Sequence, residues 1–294
     1  TWPLDYQPQN AEPYNDKQDR EIQTHNYTQR LKQWQEKALR EAKLRSAWSA
    51  PNSRYEEACQ HYLTSILEEP EMLEVRYEIA RAAAEIAPAG ALNSLAQTLL
   101  RLTTPGVPDL YQGAEFWDFS LVDPDNRRAV DFAARSAALT EPSAGQEPSA
   151  IQTLLQHWKN GHIKQQLIAR LLNARKNHPD LFSYGVYTPL TTSGEYAKHC
   201  LAFLREWRED CFLVLVPRLT ANLLVEQTIP LVPPEKWSDT AIELPHSLIE
   251  ARFTSVITEQ QCRVDKGRIY LRDALSQFPV NTFRVVLPNS EDKP

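Results

Sequence analysis

Glycine is scarce in this chain: eight residues among 294, against 21 prolines. An α/β enzyme usually spends more glycine at strand-to-loop ends, where backbone must approach a ligand. Methionine is scarcer still, with Met72 alone, and the sequence opens at Thr1 without an initiator. Both scarcities lead to the expectation that this is a piece of a longer protein. There is no run of about 18 apolar residues, so no membrane span is expected, and no secretory signal opens the chain. Basic residues are not in excess. The net charge is −6, and without a basic stripe to neutralise phosphates a nucleic-acid partner is not expected. No glycine-rich phosphate loop and no Ser-His-Asp spacing stands out. His157 and His162 lie five apart, which does not stack them on one helical turn, so no metal site is expected. The four cysteines, Cys59, Cys200, Cys211 and Cys262, are scattered without a CxxC pair. Reduced thiols in a cytoplasmic protein are the main expectation. A Cys200–Cys211 bridge across a hairpin is the other reading.

What is present is ordinary for a soluble globular protein: 42% hydrophobic and 24% charged residues, enough for roughly one to three domains. Residues 1–15 are rich in Pro, Tyr and Asn and read as loop. From Asp19 to Ser46 the pattern is helical, with Tyr27, Leu31, Trp34, Ala38 and Leu44 able to line one face. Asn52 or Ser53 can cap a second helix to about Leu67, with Glu56 and Glu57 in its first turn. A third helix is expected from Pro70 to Ile86, stopped by Pro88-Ala89-Gly90, and a fourth from Leu92 to Leu102. Pro105 and Pro108 exclude helix in the next stretch, and Leu110-Tyr111 reads as short and extended. Residues 140–150, TEPSAGQEPSA, read as loop, and Ile151–Asn177 as one amphipathic helix. After His178-Pro179 the pattern turns to β. LAFLREW and CFLVLVPRL around Arg208-Glu209-Asp210 form a hairpin signal, followed by AIELP, RFTSVIT, RIYL and TFRVVLP.

The densest chemistry lies in TTPGVPDLYQGAEFW (103–117) and the DPDNRR (123–128) that follows it. A sugar site needs planar aromatics for the apolar ring face. It also needs carboxylates, amides and guanidinium groups for bidentate bonds to neighbouring hydroxyls. Tyr111, Gln112, Glu115, Trp117, Asp123, Asn126 and Arg127 supply that set. A solvated loop whose Asp–Arg pairs fix its own turns is the equal alternative.

PGVPDLYQGAE with DPDNRR resembles the eighth barrel strand and following loop of the α-amylase superfamily, glycoside hydrolase family 13. More narrowly, the chain resembles the maltooligosyltrehalose synthase family. Besides the segment 93–132, the stretches that carry this resemblance are TWPLD (1–5), EKALREAKLRSAWSAPNSRYEEA (36–58) and ALSQFPVNTFRVVLP (274–288). The resemblance implies an α+β chain: a helical lobe (1–102), then the last strand and helix of a (β/α)8 barrel with its substrate loop (103–178), then an antiparallel β-sandwich domain (179–294). Active sites of such barrels lie at the C-terminal ends of the strands. The implied reaction is a retaining one. The glucose at the reducing end of a maltooligosaccharide rotates and is recaptured through its own 1-hydroxyl, so an α-1,4 bond becomes an α,α-1,1 bond. No cofactor is implied; the partners are the maltooligosaccharide and the missing N-terminal barrel portion.

The catalytic carboxylates of that family follow strands four, five and seven. No GxRxD stretch and no strand-seven His-Asp pair occurs here, so they are expected upstream. The resemblance maps Asp123 and Arg127 onto a DPxxR motif that holds a glucose unit some subsites from the cleaved bond, with a loop-shaping salt bridge as the alternative. Glu115, Tyr111 and Gln112 would stand near the barrel mouth, against ion-pairing or packing roles. Arg128 would orient the loop. In KALREAK, Lys37–Glu41 reads as an i,i+4 pair, while Lys43 or Arg40 is a candidate for the cleft. Trp48 would cover a sugar face or pack in the core. A stand-alone α-glucan-binding module, or a related amylase or glucanotransferase, remains as an alternative function.

Overall fold

The computed structural model describes residues 17–140 and 147–288, so TWPLD, the opening loop and most of TEPSAGQEPSA lie outside the described residues. Contacts divide the chain into two compact units. One holds residues up to Ala84 together with Asp118–Val130. The other holds Glu85–Trp117 and everything from Asp131 on.

In the first unit, α1 (Lys17–Ala42) packs on α2 (Ser53–Glu68). Asn52 caps α2, its side-chain oxygen accepting the Tyr55 N–H at 3.2 Å. Lys43 takes φ 54°, outside the helical range, and ends α1. Leu44 is therefore exposed beyond the helix, not part of its apolar stripe, and Trp34 is exposed as well. The third and fourth expected helices are one, α3 (Leu73–Thr103), which belongs to the second unit from Glu85 on and has Pro88 inside it. Proline there removes the bond to the Ala84 carbonyl and costs about 3 kcal/mol. Leu92, Leu95, Leu99 and Leu102, all fully buried, contribute roughly 2 kcal/mol each, and that packing outweighs the break.

In the second unit, α4 (Phe132–Thr140), α5 (Pro148–Gln156), α6 (His162–Asn177) and the short α7 (Pro179–Tyr184) precede the strands. The single helix expected over 151–177 is interrupted at Trp158–Gly161, where Gly161 has φ 84°. A Cβ on Gly161 would sit 2.9 Å from that of Phe116 and 3.0 Å from the Trp117 nitrogen, so both space and backbone demand glycine.

The strands are β1 (Val186–Leu190), β2 (Thr192–Ser193), β3 (Cys200–Trp207), β4 (Asp210–Pro217), β5 (Ala241–Glu243), β6 (Arg252–Ser255), β7 (Gln261–Cys262), β8 (Arg268–Tyr270) and, after the one-turn α8 (Leu271–Ala274), β9 (Asn281–Val286). They form an antiparallel six-stranded sheet, β1-β3-β4-β9-β6-β7, and a three-stranded one, β2-β5-β8. One hydrophobic core draws on both, with Leu204, Leu213, Phe253 and Phe283 from the first and Ile242 and Ile269 from the second. The expected β3–β4 hairpin is present, with Trp207 opposite Asp210. Its register sets Cys200 against Pro217 and Cys211 against Glu206, so the two thiols stand at opposite ends and no bridge crosses the hairpin. All four cysteines are free, and burial raises the Cys211 and Cys262 thiols to about 12. The described residues 104–124 contain no strand. Leu110-Tyr111 has no paired neighbour, and a parallel barrel strand exists only beside its flanking strands.

One side chain joins these elements. Arg205 on β3 is 1% exposed. Its guanidinium donates to the carbonyls of Thr103 (2.6 Å), Leu181 (3.1 Å), Phe182 (3.3 Å) and Gly185 (3.0 Å), at the ends of α3 and α7. Burial and the nearby Arg175 pull its pKa down, while the negative ends of two helices favour the charge. Arg205→Met should lower the free energy of urea unfolding by about 2–4 kcal/mol through orphaned carbonyls, with Arg205→Lys recovering only part. An unchanged urea midpoint in Arg205→Met would contradict this account.

Candidate functional site

The loop Asp118–Val130 is shaped from within its own unit. Arg30 on α1 grips Asp125 with Nε and Nη2, both at 2.8 Å, and donates to the Phe119 carbonyl at 3.1 Å. The Leu121 N–H gives Asp125 a third bond at 2.7 Å. Arg128 closes the turn, donating to the Asp125 carbonyl at 3.1 Å and to Ser120 Oγ at 3.1 Å. The Asp125 side chain is 7% exposed, and the Arg30 bond, with the Leu121 N–H, holds its carboxyl down at about 2. Asp125 thus shapes the loop and leaves its neighbours outside. Asp123 is 45% and Arg127 76% exposed, and the two form an ion pair. Lys37 on α1 donates to the Asp123 carbonyl at 2.9 Å and lies 3.9 Å from its carboxylate, as far as from Glu41.

A second arrangement lies between α1 and α2. Ala47 and Ala50 exchange both backbone bonds, 3.3 and 3.1 Å, which leaves Trp48 and Ser49 as a two-residue loop. Arg40 on α1 donates to Glu56 at 2.9 and 2.8 Å and to Glu36 at 2.6 Å. Ser46 donates to Glu56 and accepts the Asn52 N–H at 3.0 Å. Glu56, capped by Arg40 first and Ser46 second, has its carboxyl held at about 2. The Arg40 guanidinium also lies 4.9 Å from the centre of the Trp48 ring. Trp48 is 56% exposed, so it is not a core residue. Lys43 is exposed past the end of α1.

In the other unit, Tyr111 and Gln112 are exposed at the start of a turn closed by the Ala114 N–H on the Tyr111 carbonyl at 3.0 Å. Glu115 accepts from Arg135 Nε at 3.0 Å, and the same guanidinium donates to Gly113 at 2.6 Å and Asp131 at 3.0 Å. Trp117 donates to the Trp158 carbonyl at 2.7 Å. The nine candidates therefore fall into two groups. Asp123, Arg127, Arg128, Arg40, Lys43 and Trp48 belong to one unit, and Tyr111, Gln112 and Glu115 to the other. Arg30, Asp125, Glu56 and Arg135 were not among the candidate site residues read from the sequence, although Glu56 was read as a first-turn residue of α2. Asp125 lies inside DPDNRR, but the guanidinium groups that anchor the loops carry no local signal. Among the described residues no cluster of His, Cys, Asp and Glu could hold a metal ion, and no helix is long and apolar enough to cross a membrane.

Known proteins match most of the chain. A curated protein of Mycobacterium tuberculosis, provisionally named a maltooligosyl trehalose synthase, is 37% identical over 216 residues, 74% of this chain. The solved structure of maltooligosyltrehalose synthase from Arthrobacter ramosus superposes with a TM-score of 0.68 at 29% identity over 92% of this chain. This chain is a relative of the maltooligosyltrehalose synthases. A hypothetical maltooligosyl trehalose synthase of Sulfolobus tokodaii follows, with a TM-score of 0.61 at 28% identity over 90% of the chain. The chain spans 24% of the length of the curated relative and 32% and 31% of the two solved synthases. No family model matches.

Asp125 makes a pH prediction. Its carboxyl, held at about 2 in the folded chain, lies below the ordinary value of 3.8. Its contribution is therefore complete above the unfolded value and is lost as pH falls through the folded one. Between pH 5 and 2 the parent chain should lose about 1–2 kcal/mol more stability than Asp125→Asn. Parallel acid-unfolding curves for the two would refute the assignment.

Proposed function

We propose that this chain is the C-terminal part of a cytoplasmic maltooligosyltrehalose synthase, in which it holds the α-glucan while carboxylates encoded upstream do the chemistry. The observation that carries this reading is the sequence and structural match to the synthases, combined with an exposed Asp123–Arg127 pair on an internally braced loop. On this reading the last barrel strand begins after Thr103 and finds its neighbours in the N-terminal portion. On the same reading residues 179–294 correspond to the β-sandwich domain, which the core shared by the two sheets among the described residues supports.

Asp123 and Arg127 then take one glucose unit. Each presents two hydrogen-bonding atoms at fixed spacing, which suits vicinal hydroxyls, and charged partners make the stronger bonds. The upstream nucleophile attacks the anomeric carbon next to the reducing-end bond, and the acid protonates the departing 4-oxygen. The freed terminal glucose turns and adds through its 1-hydroxyl, whose proton returns to the same carboxylate now acting as base, and the bond to the nucleophile breaks. Holding the chain away from the cleaved bond keeps the glycosyl group in place during that turn and raises the share of isomerisation over hydrolysis.

Two measurements test the reading. The 294-residue chain with maltopentaose should leave the reducing ends intact; a steady loss of them would place catalytic groups within the chain. In the intact enzyme, Asp123→Ala and Arg127→Ala should each lower kcat/KM about tenfold, the loss of a charged hydrogen bond to substrate. Thermal stability should move by less than about 1 kcal/mol, since exposed ion pairs contribute little. Unchanged kinetics in both variants would return the pair to loop structure.

A further inference from the structure

Trp48 is a large exposed aromatic whose position the fold holds. An isolated exposed apolar side chain needs no explanation. Trp48 differs in being held both through its loop and at its ring. The paired backbone bonds of Ala47 and Ala50 fix the two-residue loop that carries it. Arg40 lies against its ring at 4.9 Å. Arg40 is itself fixed by two bonds to Glu56 and one to Glu36. Glu56 is buried and is held in turn by Ser46, whose hydroxyl accepts the Asn52 N–H. Five polar groups thus converge on the setting of one indole that remains 56% exposed.

The chemistry of that arrangement is specific. A guanidinium against an indole is drawn to its π-density and holds the ring in one orientation. With the cation taking one side, the exposed area of the ring is an apolar plane edged by polar groups. Such a plane fits the C–H face of a pyranose, whose hydroxyls then point outward to water or to neighbouring side chains. A free carboxylate would meet the negative face of the ring and be disfavoured there. Pre-fixing the ring also removes rotamer entropy that binding would otherwise have to spend.

On the α-glucan reading above, we infer that Trp48 is a stacking platform for one glucose unit and that Arg40, Glu56 and Ser46 are positioning residues that set its ring. Each of the three Arg40 guanidinium nitrogens is already engaged by Glu56 or Glu36, so Arg40 acts on sugar through the ring it holds.

The test labels the seven tryptophans with 5-fluorotryptophan and follows fluorine NMR of the full chain during titration with maltoheptaose. The Trp48 resonance is assigned by its loss in Trp48→Phe. Maltoheptaose should shift it with saturation and leave those of the buried Trp158 and Trp237 in place. Arg40→Met should move the Trp48 resonance in the sugar-free chain and weaken binding about three- to fivefold, the size of a lost cation–π contact. Arg40→Lys should restore part of both, while Trp48→Leu, an exposed change that leaves the thermal midpoint alone, should weaken binding further. Binding that survives Trp48→Leu undiminished overturns the platform and leaves the glucan reading standing. No maltoheptaose binding in the parent chain overturns both.

Discussion

Helix ends expose carbonyls that must find donors, and this chain meets that demand with arginine. The last four carbonyls of a helix have no partner within it. Many helices close with a glycine in the left-handed region, which turns backbone N–H groups back onto those carbonyls. A chain with eight glycines has few such closures. α2 ends at Glu68, and Arg76 donates to the Ile66 and Glu69 carbonyls at 3.0 and 2.8 Å. α3 ends at Thr103, where Arg205 takes the Thr103 carbonyl and Arg175 the Leu102 carbonyl at 2.8 Å. Arg205 reaches α7 as well, whose Gly185 leaves no room for a side chain: a Cβ there would lie 2.2 Å from the Leu181 oxygen. Guanidinium suits this work because it offers five donors in a rigid fork and stays charged when buried. It also brings strand β3 to both helix ends, so closure of the helices and docking of the sheet become one event.

The same device governs the loops. Arg135 fastens Gly113, Asp131 and Glu115, Lys164 donates to the Phe116 carbonyl at 3.2 Å, and Arg30 fastens Asp125 and Phe119. In each case a cation from a helix holds an adjoining non-helical segment whose backbone has no ladder to join. The part-buried Gly113 and Phe116 carbonyls gain most from such partners, since a carbonyl left unpaired away from water is destabilising.

This explains what could be read from the sequence and what could not. The β3–β4 hairpin was legible because a local turn and a β-rich pattern specify it together. The cap on α2 was legible at Asn52 for the same reason. Pro88 misled because local propensity was outweighed by leucines buried through tertiary packing. Gly161 went unnoticed because its neighbour Phe116 lies 45 positions earlier in the numbering, and nothing near it in sequence shows that need. The DPDNRR cluster was visible as chemistry, but its division of labour was not. Asp123 and Asp125 are the same residue type two positions apart, and what separates them is Arg30, 95 residues away. The crowding of 109–128 likewise read as one site, whereas the contacts assign its two ends to different units at Trp117–Asp118.

That separation of roles follows from electrostatics. A carboxylate that shapes a loop must be sheltered enough for its bonds to matter, and Asp125 is, with three donors on a nearly covered side chain. A carboxylate that is to receive a sugar must keep accessible lone pairs and a partner it can share. Asp123 meets that condition because its ion pair with Arg127 is solvent-screened and weak, so exchanging part of it for hydroxyl bonds loses little. A sheltered Asp123 would give a stiffer loop with nothing to offer a ligand; an exposed Asp125 would give a loop too mobile to fix the spacing of its acceptors. Alternating the two along one short segment places a sheltered, braced residue beside an exposed one, and on the proposed glucan reading binding would gain from order that folding has already established.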